Sequence, residues 1–136
     1  MKNCVFCSIV SDELPSWQIF EDEHCLAILD IAPAAPGHTL VLPKTHVPDI
    51  FATSDDLASR LAVGVLRTAT LLRDRLAPDG LSIFQSNGEA AWQEVPHLHV
   101  HLVPRKWGDQ LVRPWNSAAV ASSDLNAVHR ALRGHG

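Results

Sequence analysis

His97-Leu98-His99-Val100-His101-Leu102-Val103 sets three imidazoles at alternate positions with aliphatic residues between them. Strand side chains alternate faces, so the pattern predicts an extended segment, Val95 to Val103, whose histidines share one face. Leu98, Val100 and Leu102 take the other face and anchor the segment to a core. Histidines two residues apart lie ~7 Å from one another at a rise of ~3.3 Å per residue. Three neutral imidazoles cannot be buried without hydrogen-bond partners, so the row is expected to line a pocket or bind a metal. A half-exposed polar strand face is the bland alternative, but such faces usually carry Thr, Lys, Glu or Ser. Two chemistries stay open: metal ligation by neutral imidazole, and a nucleophile or general base oriented by its neighbours.

Working outward, Cys4 to Val10 (CVFCSIV) predicts one or two helical turns, ended before Pro15. Trp17 to Glu21 and Cys25 to Asp30 read as strands joined by the polar turn Asp22-Glu23-His24. Ile31 to Gly37 holds two prolines and a glycine and is a loop, and His38 to Pro43 (HTLVLP) is a third strand. One long helix is predicted over Asp55 to Leu76, capped by Ser54 or Thr53, with Asp55 and Asp56 complementing its dipole. Leu57, Leu61, Val65, Leu72 and Leu76 form its apolar stripe, which Ala62, Leu66 and Ala69 widen. A face that wide implies burial on two sides, against a sheet and against a second subunit. Pro78-Asp79-Gly80 stops the helix. Leu81 to Ser86 is a fourth strand, Asn87 to Trp92 a small-residue loop, and Ser123 to Leu132 a terminal helix. The fold class is therefore α+β: a mostly antiparallel five-stranded sheet with one long helix, a short N-terminal helical segment and a C-terminal helix.

With 136 residues the chain is expected to form one domain over 1–136, and its 46% hydrophobic, 19% charged composition supplies a real core. Eleven basic against 15 acidic residues give a net charge of −4, so no broad basic face points to nucleic acid or a membrane surface. No apolar run approaches the ~18 residues of a membrane span. The start, Met1-Lys2-Asn3-Cys4, lacks an apolar signal region and is expected to be cytoplasmic. Three cysteines are too few for a disulfide framework. Cys4-x-x-Cys7 fits a metal site, a redox pair or two incidental thiols. Cys25, in an apolar strand, reads as a small buried hydrophobe.

The seven residues from His97 to Val103 match in full the His-φ-His-φ-His-φ-φ signature, φ apolar, of the histidine triad (HIT) proteins, which this chain resembles. Phe20-Glu21-Asp22 with Cys25 to Ile31 is similar to that family's N-terminal strand pair, and Pro36-Gly37-His38 to Lys44 to its central strand. Asn87-Gly88 before Gln93-Glu94-Val95 resembles its phosphate loop. The match spans roughly residues 4 to 107 and looks most like small bacterial members near the Hint branch. Two positions depart: members often carry Gly-Gln-Ser/Thr-Val before the triad, where this chain has Trp92-Gln93-Glu94-Val95. A carboxylate there repels a phosphate oxygen unless Glu94 turns away or meets a cationic group, and Trp92 either narrows the pocket or stacks on a base.

The resemblance implies attack by His99 on the α-phosphate of an AMP-like purine nucleotide, giving a nucleotidyl-imidazole that water hydrolyses. It casts His101 as the residue that contacts phosphate oxygens or protonates the leaving group. Asp30 would accept a ribose hydroxyl, Phe6, Ile9 and Ile31 would line the base pocket, and His38 would join the polar network. Asn87, and the backbone N–H groups from Asn87 to Gln93, would stabilise phosphoryl charge. Some bacterial members carry a structural zinc, and the matching positions here are Cys4, Cys7, His46 and His97. Hint-like members also pair as homodimers through the long helix. A nucleotide-binding regulatory protein with vestigial catalysis is the alternative function, and a metal-delivery protein using the histidine row a third.

Overall fold

A computed structural model describes residues 3–112 and 115–134. In chain order its elements are α1 (Val5–Val10), β1 (Gln18–Glu21), β2 (Cys25–Leu29), β3 (Thr39–Pro43), α2 (Asp55–Leu76), β4 (Gly80–Phe84), β5 (Val100–Arg105) and α3 (Ser122–Arg133). The strands form one antiparallel sheet in the order β1-β2-β3-β5-β4.

The sheet is covered on both faces, which is why β2 (CLAIL) is apolar without interruption and β3 (TLVLP) nearly so. On one side Cys25 and Ala27 of β2, Val41 of β3 and Leu98 and Leu102 pack under Leu61 and Leu72 of α2. On the other, Leu26, Ile28, Leu40 and Leu42 pack with Phe6 and Ile9 of α1. Leu26, Leu42, Leu98 and Leu102 are almost completely buried, each worth roughly 1.5–3 kcal/mol. Leu40 pairs with His101 across β3 and β5. The aliphatic members of the histidine segment thus face α2, and the imidazoles face the α1 side, as strand alternation requires.

Helix α2 runs over the expected span. The Ser54 hydroxyl accepts from Leu57 N–H at 3.1 Å, and Ala77 ends the helix in a left-handed conformation at φ 47°. Its buried positions are Leu61, Gly64, Thr68 and Leu72. This corrects the predicted stripe, because Ala62 and Leu66 are exposed. Gly64 is what lets the helix lie close to β2: a Cβ there would sit 3.0 Å from both Cβ and Sγ of Cys25. Cys25 is buried as expected, and burial pushes its thiol up to about 11.

Boundaries shift elsewhere. Cys4 is the N-cap of α1, its Sγ accepting from Cys7 N–H. The ordered ladder of β5 begins at Val100, not Val95. Pro96 has no N–H, the His97 N–H turns back to the Val95 carbonyl, and the Leu98 N–H goes to the Val47 carbonyl at 2.8 Å. His97 and His99 therefore stand just ahead of the ladder, and only His101 is within it. None of the described helices is long and apolar enough to cross a membrane.

Candidate active site

Carbonyl oxygens only accept hydrogen bonds, and this fixes the protonation of two histidines. His97 Nε2 lies 2.8 Å from the Pro43 carbonyl, so it carries the proton and leaves the Nδ1 lone pair free. His99 Nδ1 lies 2.7 Å from the His97 carbonyl, so it carries the proton and leaves the Nε2 lone pair free. A third ring is fixed from the other direction. The Ala34 N–H donates to His38 Nδ1 at 3.0 Å, which puts the His38 proton on Nε2. That nitrogen is 3.0 Å from His101 Nδ1, which must accept, and the His101 proton is then on Nε2.

The row thus divides between two settings. His97 Nδ1 joins Cys4 Sγ (3.4 Å), Cys7 Sγ (3.6 Å) and His46 Nδ1 (3.1 Å), and His46 Nδ1 is 3.3 Å from Cys7 Sγ. All four donor atoms lie within 4.8 Å of one another. Tetrahedral ligands at Zn–N and Zn–S lengths stand about 3.3–3.8 Å apart, so these residues fit a metal ion. The backbone acceptor on His97 Nε2 is the outer partner that a ligating imidazole needs.

His101 sits in the second setting, with His99 and His38 at ring-centroid distances of 5.0 and 5.2 Å. Asp30 Oδ2 is 3.6 Å from His38 Nε2, while Oδ1 accepts the Ala32 N–H. The Phe84 ring lies flat on His101, centroids 4.3 Å apart and planes 5° apart. Burial keeps His38 and His99 below the ordinary imidazole range. For His38 the Asp30 charge opposes it; for His99 the His97 carbonyl, Asp30 and Glu94 do. His101 is held down to about 4, first by burial and then by the neighbouring histidines.

The remaining expected residues divide. Phe6 is buried and meets the His97 and His99 rings edge-on, whereas Ile9 is a core residue and Ile31 stands 83% exposed beside Asp30. Asn87 and Gln93 have side chains already engaged. Asn87 Oδ1 accepts from Ile50 N–H, and its amide pairs reciprocally with that of Gln85. Gln93 Oε1 accepts from Gly88 N–H, and its Nε2 donates to the Pro48 and Val95 carbonyls. Both stitch the 85–95 loop in place, a job that spacing alone does not separate from ligand contact. Glu94 is exposed. Trp92 is held in the left-handed region at φ 72°, its ring stacked with Trp115. Phe84 was missed, because only the register Phe84↔His101 brings it to the site.

An antiparallel sheet carrying an anchored imidazole row, with a Cys/His cluster at one end, defines a class of small α+β proteins built around alternate histidines. The HIT domain profile matches residues 11–108. The chain belongs to the HIT family. A HIT-family crystal structure from Bacillus subtilis superposes with a TM-score of 0.90 at 37% identity, covering 98% of this chain and 99% of that one. A Zn-bound histidine triad protein from Mycobacterium smegmatis is 44% identical, with a TM-score of 0.77 over 84% of this chain and 85% of that one. An adenosine 5'-monophosphoramidase of Saccharomyces cerevisiae is 32% identical over 95% of this chain and 80% of its own.

The folded protein keeps His101 neutral down to about pH 4, whereas the unfolded chain takes up that proton near 6.5. The unfolded state binds more protons in between, so stability falls as pH drops from about 6.5 to about 4 and flattens below. His101→Asn removes this contribution, so urea melts of the metal-loaded variant should decline less steeply across that window. An unchanged slope would mean that His101 titrates normally.

Proposed function

We propose that the protein is a nucleotide hydrolase or transferase acting at the α-phosphate of an AMP-like purine nucleotide, through a nucleotidyl-imidazole on His99. Nucleoside phosphoramidates and dinucleoside polyphosphates are the substrate classes. The observation that carries this reading is the His99 Nδ1–H donated to the His97 carbonyl, which leaves an unprotonated Nε2 on a neutral ring. That is the form of imidazole that attacks phosphorus. The Nε2–P bond forms as the bond to the leaving group breaks, its electron pair departing with that group. Water then attacks phosphorus, the nucleoside monophosphate is released and the pair returns to Nε2.

His101, with its proton on Nε2, donates a hydrogen bond to the charge that develops at the phosphoryl oxygens or the leaving atom. Backbone N–H groups of the loop held by Asn87 and Gln93 take the other oxygens. Asp30 accepts a ribose hydroxyl, with Phe6 and Ile31 bordering the base. The activity named for the yeast relative supports this reading. His99→Asn should lower turnover of a fluorogenic adenosine phosphoramidate by ~10⁴ or more with the fold intact. Near-wild-type turnover in that variant would overturn the mechanism. AMP binding without turnover by the wild type would establish the binding-only alternative.

The metal at Cys4, Cys7, His46 and His97 is read as zinc, on the donor set and the Zn-bound relative. Four protein ligands fill a tetrahedron, so the ion supplies structure, tying α1 to the chain that carries His99. Cys4→Ser with Cys7→Ser should abolish stoichiometric zinc and lower the melting temperature. Where the variant stays folded, turnover should stay within about tenfold of wild type. Complete loss of turnover in folded double mutant would make the metal catalytic.

A homodimer is the proposed assembly. Val63 and Leu66 of α2 and Ile83 of the edge strand β4 are exposed, and a groove of about 380 Å³ lies between α2 and β4. Sedimentation should give twice the 14.9 kDa chain mass, and Leu66→Glu should give the monomer. A wild-type monomer at micromolar concentration would refute it.

A further inference from the structure

His101 needs a fixed orientation to be useful, because a hydrogen-bond donor helps only when aimed at the charge it meets. Such groups must be held within roughly 10–20° by neighbours whose own positions are fixed. One restraint on His101 is the bond from His38 Nε2 to its Nδ1, 3.0 Å long. A single in-plane bond leaves the ring free to rock about that contact, since the torsion that turns an imidazole is broad.

The second restraint is on the ring face. Phe84 and His101 are directly paired across β4 and β5, and their rings are stacked, parallel to within 5° with centroids 4.3 Å apart. Phe84 is 46% exposed, so core burial does not account for phenylalanine at this edge-strand position. The contact is with the histidine: the same ring is 6.5 Å from His38, tilted by 52°.

We propose that Phe84 is a positioning residue for His101, its ring serving as a flat wall that holds the imidazole Nδ1 on His38 Nε2 and its Nε2–H toward the reacting phosphate. The inference rests on the function proposed above for its kinetic consequence. The restraint itself is a property of the free protein. Phe84 touches no reacting atom in this account and acts only through His101.

The test combines kinetics on the adenosine phosphoramidate with ¹³C relaxation of the histidine rings in protein without substrate. Phe84→Leu, which keeps an apolar side chain but loses the flat face, should lower kcat about tenfold with KM within about twofold. Phe84→Tyr should restore most of the rate. In a His101→Asn background, Phe84→Leu should cost nothing further, because a residue acting through His101 has nothing left to position. ¹³C relaxation at the His101 ring carbons should report a rigid imidazole in the wild type and Phe84→Tyr, and a rocking one in Phe84→Leu. Equal losses from Phe84→Leu with and without His101 would reduce Phe84 to a structural role and overturn the proposal. So would a His101 ring as rigid in Phe84→Leu as in the wild type. A wild type with no turnover would instead overturn the proposed function, and the ring relaxation alone would then decide the clamp.

Discussion

The hydrogen bond from His99 Nδ1 to the carbonyl of His97, 2.7 Å long, makes the rest of the site intelligible. It exists because the chain from Val95 to His99 leaves the sheet ladder. With Pro96 lacking an N–H and Leu98 turned to Val47, the His97 carbonyl is available to the ring two residues on. A backbone acceptor does what no side chain does as firmly, since it has no protonation state of its own. It holds one tautomer of His99 at every pH at which the ring stays neutral.

The same device recurs around it. The Pro43 carbonyl fixes His97 so that its free nitrogen meets two thiols and His46. The Ala34 N–H fixes His38, and through it His101, with the opposite polarity. Three backbone groups thus set the tautomers of four chemically identical side chains. Adjacent histidines would otherwise trade protons freely, and their pH behaviour would merge into that of one coupled set. The cluster at one end holds His97 and the polar group at the other holds His101, two residues to either side of His99.

Much of this was legible in sequence. Alternation placed His97, His99 and His101 on one face and Leu98, Val100 and Leu102 on the other, and Ser54 with Asp55 and Asp56 marked the start of the long helix. The β1–β2 hairpin followed from the polar turn Asp22-Glu23-His24, whereas the place of β5 between β3 and β4 did not. Less legible were features that depend on where backbone groups lie in space. The late start of β5 depends on Val47, a loop residue some fifty positions upstream of the strand. The buried face of α2 runs through Gly64 and Thr68 because Cys25 lies beneath it, and a stripe of large apolar residues does not reveal that. For Asn87 and Gln93 the sequence offers ligand contact, while their bonds to Ile50, Gln85, Gly88 and Pro48, which brace the loop, depend on where those residues lie in space. Phe84 reached the site through register.

The central claim is that the reaction passes through a covalent bond between His99 Nε2 and phosphorus. Each displacement at phosphorus with the entering and leaving groups in line inverts its configuration, so two in succession restore it. The most direct measurement is the stereochemical course at an α-phosphorus made chiral by sulfur and oxygen isotopes. Net retention is the outcome this account predicts; net inversion would mean that water attacks the substrate directly, and would contradict it.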